Sequence, residues 1–261
     1  MQLKMKTFGN PSNLALVLIH PFPFDSRLWE KVATTLGDKY FVVTPDLRGC
    51  GESKLGNDAP SIELLAQDVF ELITQLNLTK PIVGGISLGG YVAMALAKSN
   101  PEVLGGLILV DTKASADASA AVENRLRVAK QMRESGKVEL FAQQMLVNVV
   151  GQYTHENRPE VVAQVNDWMV SSSADTIAWL QEAMATRKDS FETLASLNIP
   201  TLLIRGSQDV ISSAEDFIEM EKNLKQVTRI EIENSGHLPP IEDPTATASA
   251  IVSWLTIFAD R

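Results

Sequence analysis

Five stretches of the chain are built around continuous apolar runs: "LALVLIH" (Leu14–His20), "YFVVTPD" (Tyr40–Asp46), "PIVGGIS" (Pro81–Ser87), "LGGLILVD" (Leu104–Asp111) and "TLLIRGSQD" (Thr201–Asp209). A strand with one wet face alternates apolar and polar residues. These do not alternate, so each needs cover on both faces, which is the situation of strands inside a parallel sheet. A weaker strand pattern occupies Gln2–Thr7. Val227–Glu233, "VTRIEIE", does alternate, as a strand near a sheet edge should. Between the runs lie helical patterns at Ser26–Leu36, Ser61–Leu76, Tyr91–Ser99, Ala214–Lys225 and Thr245–Phe258. Strand–helix alternation implies right-handed crossovers and an α/β fold, a doubly wound and mostly parallel sheet.

One interval breaks the alternation. From Lys113 to about Ser196 the sequence offers helical pattern with polar joints and no strand, as in "AVENRLRVAKQMRES" and "DTIAWLQEAMATR". That is too long for a loop inside a compact domain. The expected organisation is therefore a core made of 1–112 and 197–261, with 113–196 inserted as a helical cap.

Composition removes several function classes. The net charge of −9 and the lack of a dense basic face argue against a nucleic-acid partner. The nearest basic cluster, Arg125, Arg127, Lys130, Arg133 and Lys137, reads as the wet side of a helix. No apolar run approaches the roughly 20 residues of a membrane span, and "MQLKMKTFGNPSN" lacks a signal-peptide core. The single cysteine, Cys50, has no internal partner, which fits a reducing compartment, so a soluble cytoplasmic protein is expected. His20, His155 and His237 are scattered without ligand spacing, so no metal and no cofactor are expected. Oligomeric state is not legible.

The chemistry points to one segment. "PIVGGISLGGYVAMALA" (Pro81–Ala97) places four glycines around Ser87 where a strand hands over to a helix. Glycines there remove side chains at a tight bend, so the chain turns sharply with Ser87 at the apex. The hydroxyl then stands near a helix start, whose amides favour negative charge.

Gly85-Ile86-Ser87-Leu88-Gly89 lies in chain order with "LIHPFP", "PDLRGCGES", "LILVDT", "IPTLLIRGSQD" and "ENSGHLPPIEDP". The series resembles, over nearly the whole length, an α/β-hydrolase of the small cap-bearing kind that includes carboxylesterases, cofactor-free haloperoxidases (perhydrolases) and 3-oxoadipate enol-lactonases. The resemblance implies a serine nucleophile, Ser87, with His237 as its base after the last strand. It implies Asp209 as the acid that holds the histidine's tautomer, with Asp111 the competitor, because some relatives carry the acid on the preceding strand. It implies backbone N–H donors for an oxyanion from Leu88 and Phe22. Pro21 stands where the pattern has a glycine, and no proline follows Asp209, which are two departures. Asp46 and Arg48 are expected to tie a loop together, with Gly49 and Gly51 allowing its turn. Cys50 reads as a filler, His20 as a structural histidine, His155 as exposed. Trp29, Trp168, Trp179 and the cap methionines are expected to mix core packing with pocket lining. The implied activity is cleavage of a carboxylic ester of a small to medium apolar substrate through an acyl-enzyme. The alternatives are enol-lactone hydrolysis or perhydrolysis on the same residues, or a non-catalytic receptor of this fold. The absence of an evident arginine clamp disfavours a strongly anionic substrate, though a cap arginine such as Arg158 could supply one.

Overall fold

The computed structural model describes residues 1–259, with side chains through 256; the last two residues of the expected core segment lie outside the described residues. Seven strands form one sheet: β1 (Met5–Phe8), β2 (Ala15–Ile19), β3 (Phe41–Pro45), β4 (Ile82–Ile86), β5 (Gly106–Val110), β6 (Thr201–Gly206) and β7 (Val227–Ile232). Their spatial order is β1-β3-β2-β4-β5-β6-β7. β1 pairs with β3 antiparallel, and every other neighbouring pair is parallel.

The uninterrupted apolar runs are explained by where their side chains go. Along β2, Leu16 and Leu18 enter one apolar cluster while Val17 and Ile19 enter another. On β5, Ile108 and Val110 join the first cluster and Leu107 and Leu109 the second. Successive side chains point to opposite faces, so a strand covered twice must be apolar at every position. The first cluster is completed by α1 (Glu30–Leu36) and α12 (Pro244–Ala259), through Val32, Leu36, Ile251 and Trp254. The second is completed by α2 (Ile62–Gln75), α3 (Leu88–Ser99) and α10 (Ala214–Asn223), through Leu65, Val69, Val92, Leu96 and Phe217. The alternating strand β7 lies at the sheet edge, with Arg229 and Glu231 exposed and Ile232 buried.

Boundaries shift from the sequence expectation at three places that matter. The helix expected over Ser26–Leu36 splits into a 3-10 turn, Ser26–Trp29, followed by α1. The helix expected from Tyr91 starts at Leu88, directly after Ser87. β6 ends at Gly206, so Asp209 lies in the turn beyond the strand rather than at its end.

Between β5 and β6 run six helices and no strand: α4 (Ser119–Ser135), α5 (Val138–Val149), α6 (Gln152–Asn157), α7 (Pro159–Val170), α8 (Ala174–Ala185) and α9 (Phe191–Ser196). Their apolar sides do not form a private core. Ile177, Leu180 and Met184 of α8 join the second sheet cluster, whereas Val149 of α5 and Val161, Val165 and Met169 of α7 join the first. Of the tryptophans, Trp29 is wholly buried in the core. Trp179 of α8 donates its indole N–H to the Asp58 carbonyl at 3.0 Å. The basic cluster, which lies on α4 except for Lys137 just before α5, is not uniformly wet: the Arg125 guanidinium reaches inward to Asp117 at 2.5 Å and to Gln181 at 3.1 Å.

The "PDLRGCGES" loop is tied as expected, by two separate knots. Asp46 accepts the Ser26 and Glu52 amides at 2.9 and 3.0 Å. Arg48 makes a buried two-pronged pair with Asp68 of α2, at 2.9 and 3.0 Å. Gly49 and Gly51 both have positive φ, and Cys50 is buried. No helix among the described residues is long and apolar enough to cross a membrane.

Candidate active site

Parallel strands end on one edge of a sheet, and ligands in open α/β sheets bind outside those carboxyl ends. Ser87 follows β4, Asp111 follows β5, Asp209 lies beyond β6 and His237 beyond β7. The sheet's own hydrogen bonds stitch these ends together: the Ser87 amide donates to Val110 at 2.9 Å, and the Asp111 amide to Ile204 at 3.0 Å.

Ser87 is itself the strained residue of its turn. Its φ of 53° and ψ of −114° lie where side-chain-bearing residues are rarely found. The glycines around it answer to contact rather than to φ. A Cβ on Gly85 would stand 2.0 Å from the Gly89 carbonyl oxygen, and one on Gly89 would stand 2.3 Å from that of Ile19. The strand, the turn and the helix therefore meet backbone to backbone. The Ser87 carbonyl is held by the Thr112 hydroxyl at 2.9 Å and by the Tyr91 amide at 3.2 Å.

His237 and Asp209 are paired. Nδ1 of the buried imidazole lies 3.0 Å from both carboxylate oxygens of Asp209. A carboxylate only accepts, so the proton sits on Nδ1 and the lone pair on Nε2, the tautomer a general base needs. Asp209 is further fixed by the Ile211 and Ser212 amides at 2.8 and 3.1 Å. Burial pushes the Asp209 carboxyl up, but His237 and the Ile211 amide outweigh it and hold the group below the usual carboxylate range.

Asp111, the competing acid, is in the same cluster without replacing Asp209. One of its oxygens accepts the Gly206 amide at 2.9 Å, while the other, fully buried, has no donor facing it. Burial first, and the neighbouring Asp209 charge second, push Asp111 well above the usual range. The two carboxyls are thus pushed in opposite directions, Asp209 down beside the imidazole and Asp111 up next to it. Asp111, Asp209 and His237 also bring ligand atoms within 4.8 Å of one another. Of those ligand atoms, Nδ1 of His237 is already engaged by Asp209.

Leu88 opens α3, where the first amides have no helical acceptor. Phe22 lies buried in the loop after β2, its ring edge-on to Phe141 of α5 at 5.9 Å. The loop is held by His20, whose Nε2 accepts the Leu47 amide at 2.9 Å, so its ring proton is on Nδ1 and donates to the Pro21 carbonyl at 2.9 Å. Burial lowers this histidine's pKa, and both nitrogens are occupied, which makes it structural as expected. His155 is exposed on α6. Arg158 does not offer a free clamp: it donates to the main-chain carbonyl of Glu242 and lies 3.5 Å from Glu160. Sequence reasoning passed over Glu242 itself, a buried carboxylate accepting four hydrogen bonds on both sides of the histidine loop. Its only signal was its place in "GHLPPIEDP".

Comparison with known proteins agrees with this architecture. A profile of the alpha/beta hydrolase fold matches residues 15–244. The chain is 28% identical to 3-oxoadipate enol-lactonase 2 of Acinetobacter baylyi over 256 residues, 98% of this chain and 94% of that one. It superposes on a thermophilic esterase from Thermogutta terrifontis, solved with malate bound, with a TM-score of 0.93 and 36% identity, covering 97% of this chain and 93% of the other. The enol-lactonase from Burkholderia xenovorans LB400 shares the fold with a TM-score of 0.89 at 23% identity, covering 97% and 96%. The relatives carry the names of ester- and lactone-cleaving enzymes. On its sheet topology, its strand-turn-helix serine and the match over most of its length, the chain belongs to the α/β-hydrolase fold family.

Proposed function

We propose that the protein is a serine hydrolase that cleaves carboxylic esters of small to medium apolar substrates through an acyl-enzyme. The observation that carries this reading is the oriented His237–Asp209 pair, with Nδ1 bound and Nε2 free, beyond the same sheet edge as the strained Ser87 turn. In the proposed reaction Ser87 Oγ attacks the acyl carbonyl while His237 Nε2 takes its proton. The Leu88 and Phe22 amides hold the developing oxyanion, and Asp209 stabilises the imidazolium. The C–O bond to the alcohol breaks and the alcohol leaves with the proton from His237. Water, deprotonated by the same imidazole, then attacks the ester to Ser87 and frees the acid and the serine.

Residues 113–196 act as the cap over a core of 1–112 and 197–261. The support is the Phe22–Phe141 ring contact and the Ser172 hydroxyl bound to the Pro23 carbonyl, both joining the insertion to the oxyanion loop. Those rings, with Met145 one helical turn after Phe141, favour an apolar acyl group. The single cysteine, Cys50, is free and buried, as suits a reducing compartment, and we place the protein in the cytoplasm.

A p-nitrophenyl ester series of rising acyl length tests the reading, with Ser87→Ala expected to lower turnover about 10⁶-fold while the fold persists. A Ser87→Ala enzyme with most of its activity would end it. Enol-lactone hydrolysis is the second reading, favoured by the 28% identity to an enol-lactonase; a lactone panel decides it, and peroxide-dependent bromide oxidation tests perhydrolysis. Labelling of Ser87 by a fluorophosphonate without turnover of any ester would instead support a ligand receptor.

A further inference from the structure

Glu242 ends the short helix α11 (Pro239–Glu242) and is 3% exposed. One carboxylate oxygen accepts the Gly236 and Leu238 amides, each at 3.0 Å. Those are the residues immediately before and after His237. The other oxygen accepts the Gly151 amide and the Thr154 hydroxyl, each at 2.7 Å, at the start of α6 in the helical insertion. Two oxygens thus meet four donors, three of them backbone N–H groups that burial would otherwise leave without an acceptor.

His237 is consequently fixed at two levels. Asp209 fixes the ring through Nδ1, and Glu242 fixes the backbone from which the ring projects. We propose that Glu242 is a positioning residue for His237, locking the histidine loop in register and tying it to the insertion through Gly151 and Thr154. This rests on the reading of His237 as the base for Ser87. It adds that the base is oriented jointly by the core and by the cap. The carboxylate has both oxygens taken up by these four donors, none of which is Ser87. Its effect is geometric, and a displacement of about 1 Å at a reacting group costs on the order of 10² in rate.

The test compares Glu242→Ala, Glu242→Gln, Ser87→Ala and His237→Gln in the full-length enzyme, with p-nitrophenyl butyrate as probe, below each variant's unfolding temperature. Glu242→Ala removes both acceptors. The expected result is a fall in kcat of about 10²-fold with KM within about twofold. The downfield proton resonance of the His237 Nδ1–H bonded to Asp209 should broaden or vanish in the same variant. Glu242→Gln can turn its amide oxygen toward Gly236 and Leu238 and should recover kcat to within about fivefold, together with the resonance. A Glu242→Ala enzyme that is merely less heat-stable, with wild-type kcat and an unchanged resonance, overturns the proposal. If that variant does not fold, Glu242→Asp is read by the same criteria. It keeps the charge but is one methylene too short to serve both donor pairs. Activity surviving in Ser87→Ala or His237→Gln would refute the hydrolase reading, and the Nδ1–H resonance would still judge Glu242 independently.

Discussion

Ser87 holds a backbone conformation that its side chain disfavours, and this should appear as stability withheld for the sake of the turn. A residue with a Cβ at φ 53° and ψ −114° carries a cost of about 1–3 kcal/mol that glycine does not bear. Glycine in turn loses more chain entropy on folding, about 0.5–1 kcal/mol. The half-buried Cβ contributes only a fraction of the roughly 0.8 kcal/mol of a buried methylene. Ser87→Gly should therefore be more stable than wild type by about 1 kcal/mol. For a chain of 261 residues that is a rise in Tm of about 2 °C. Ser87→Ala keeps the Cβ and the strain, so it should show little or none of the gain. Both variants should be inactive. The assay is urea unfolding of the three proteins side by side, with scanning calorimetry as a second measure. A Ser87→Gly protein no more stable than Ser87→Ala would refute the claim that the turn stores strain in its serine.

Other perturbations sort the carboxyl groups. Asp209→Asn should lower kcat about 10⁴-fold by releasing the imidazole tautomer; Asp111→Asn, which keeps a neutral donor facing Asp209, should stay within about tenfold of wild type. The two acids also bend stability with pH in opposite senses. Asp209, depressed in the fold, contributes stability that is present above its unfolded pKa and is lost as pH falls through the folded value. Asp111, raised in the fold, contributes stability present below its unfolded pKa and lost as pH rises through the folded value. Asp111→Asn should accordingly be more stable than wild type at pH 8 and nearly equal at pH 4, and parallel urea midpoints across that range would contradict the assignment. Arg48→Met removes the two-pronged partner of the buried Asp68 and should destabilise by about 3 kcal/mol in the same assay.

Much of this molecule was legible because two short-range signals are local in cause. A strand covered on both faces must be apolar throughout, and a bend where backbones touch admits only glycine. The runs at Leu14–His20 and Pro81–Ser87 carry those signals openly. The split of the helix expected over Ser26–Leu36 was hidden because the Asp25 side chain caps a separate 3-10 turn by binding the Arg27 amide. The inward turn of Arg125 was hidden as well, since nothing near it in the chain announces Gln181, 56 residues on, as a partner beside the nearby Asp117.

From its residues alone, then, the chain determined a doubly wound sheet with a helical insertion and a serine at a crowded strand-to-helix bend. Apolar periodicity and glycine placement are enforced within a few residues of where they are written. Only the tertiary structure decided that Asp209 faces the imidazole while Asp111 stands behind it. It alone gave Glu242 donors from two segments, 91 and 6 residues away in the chain. A buried carboxyl takes its charge, its partners and its purpose from groups that sequence distance does not reveal. Packing brings those groups together at the carboxyl ends of the strands.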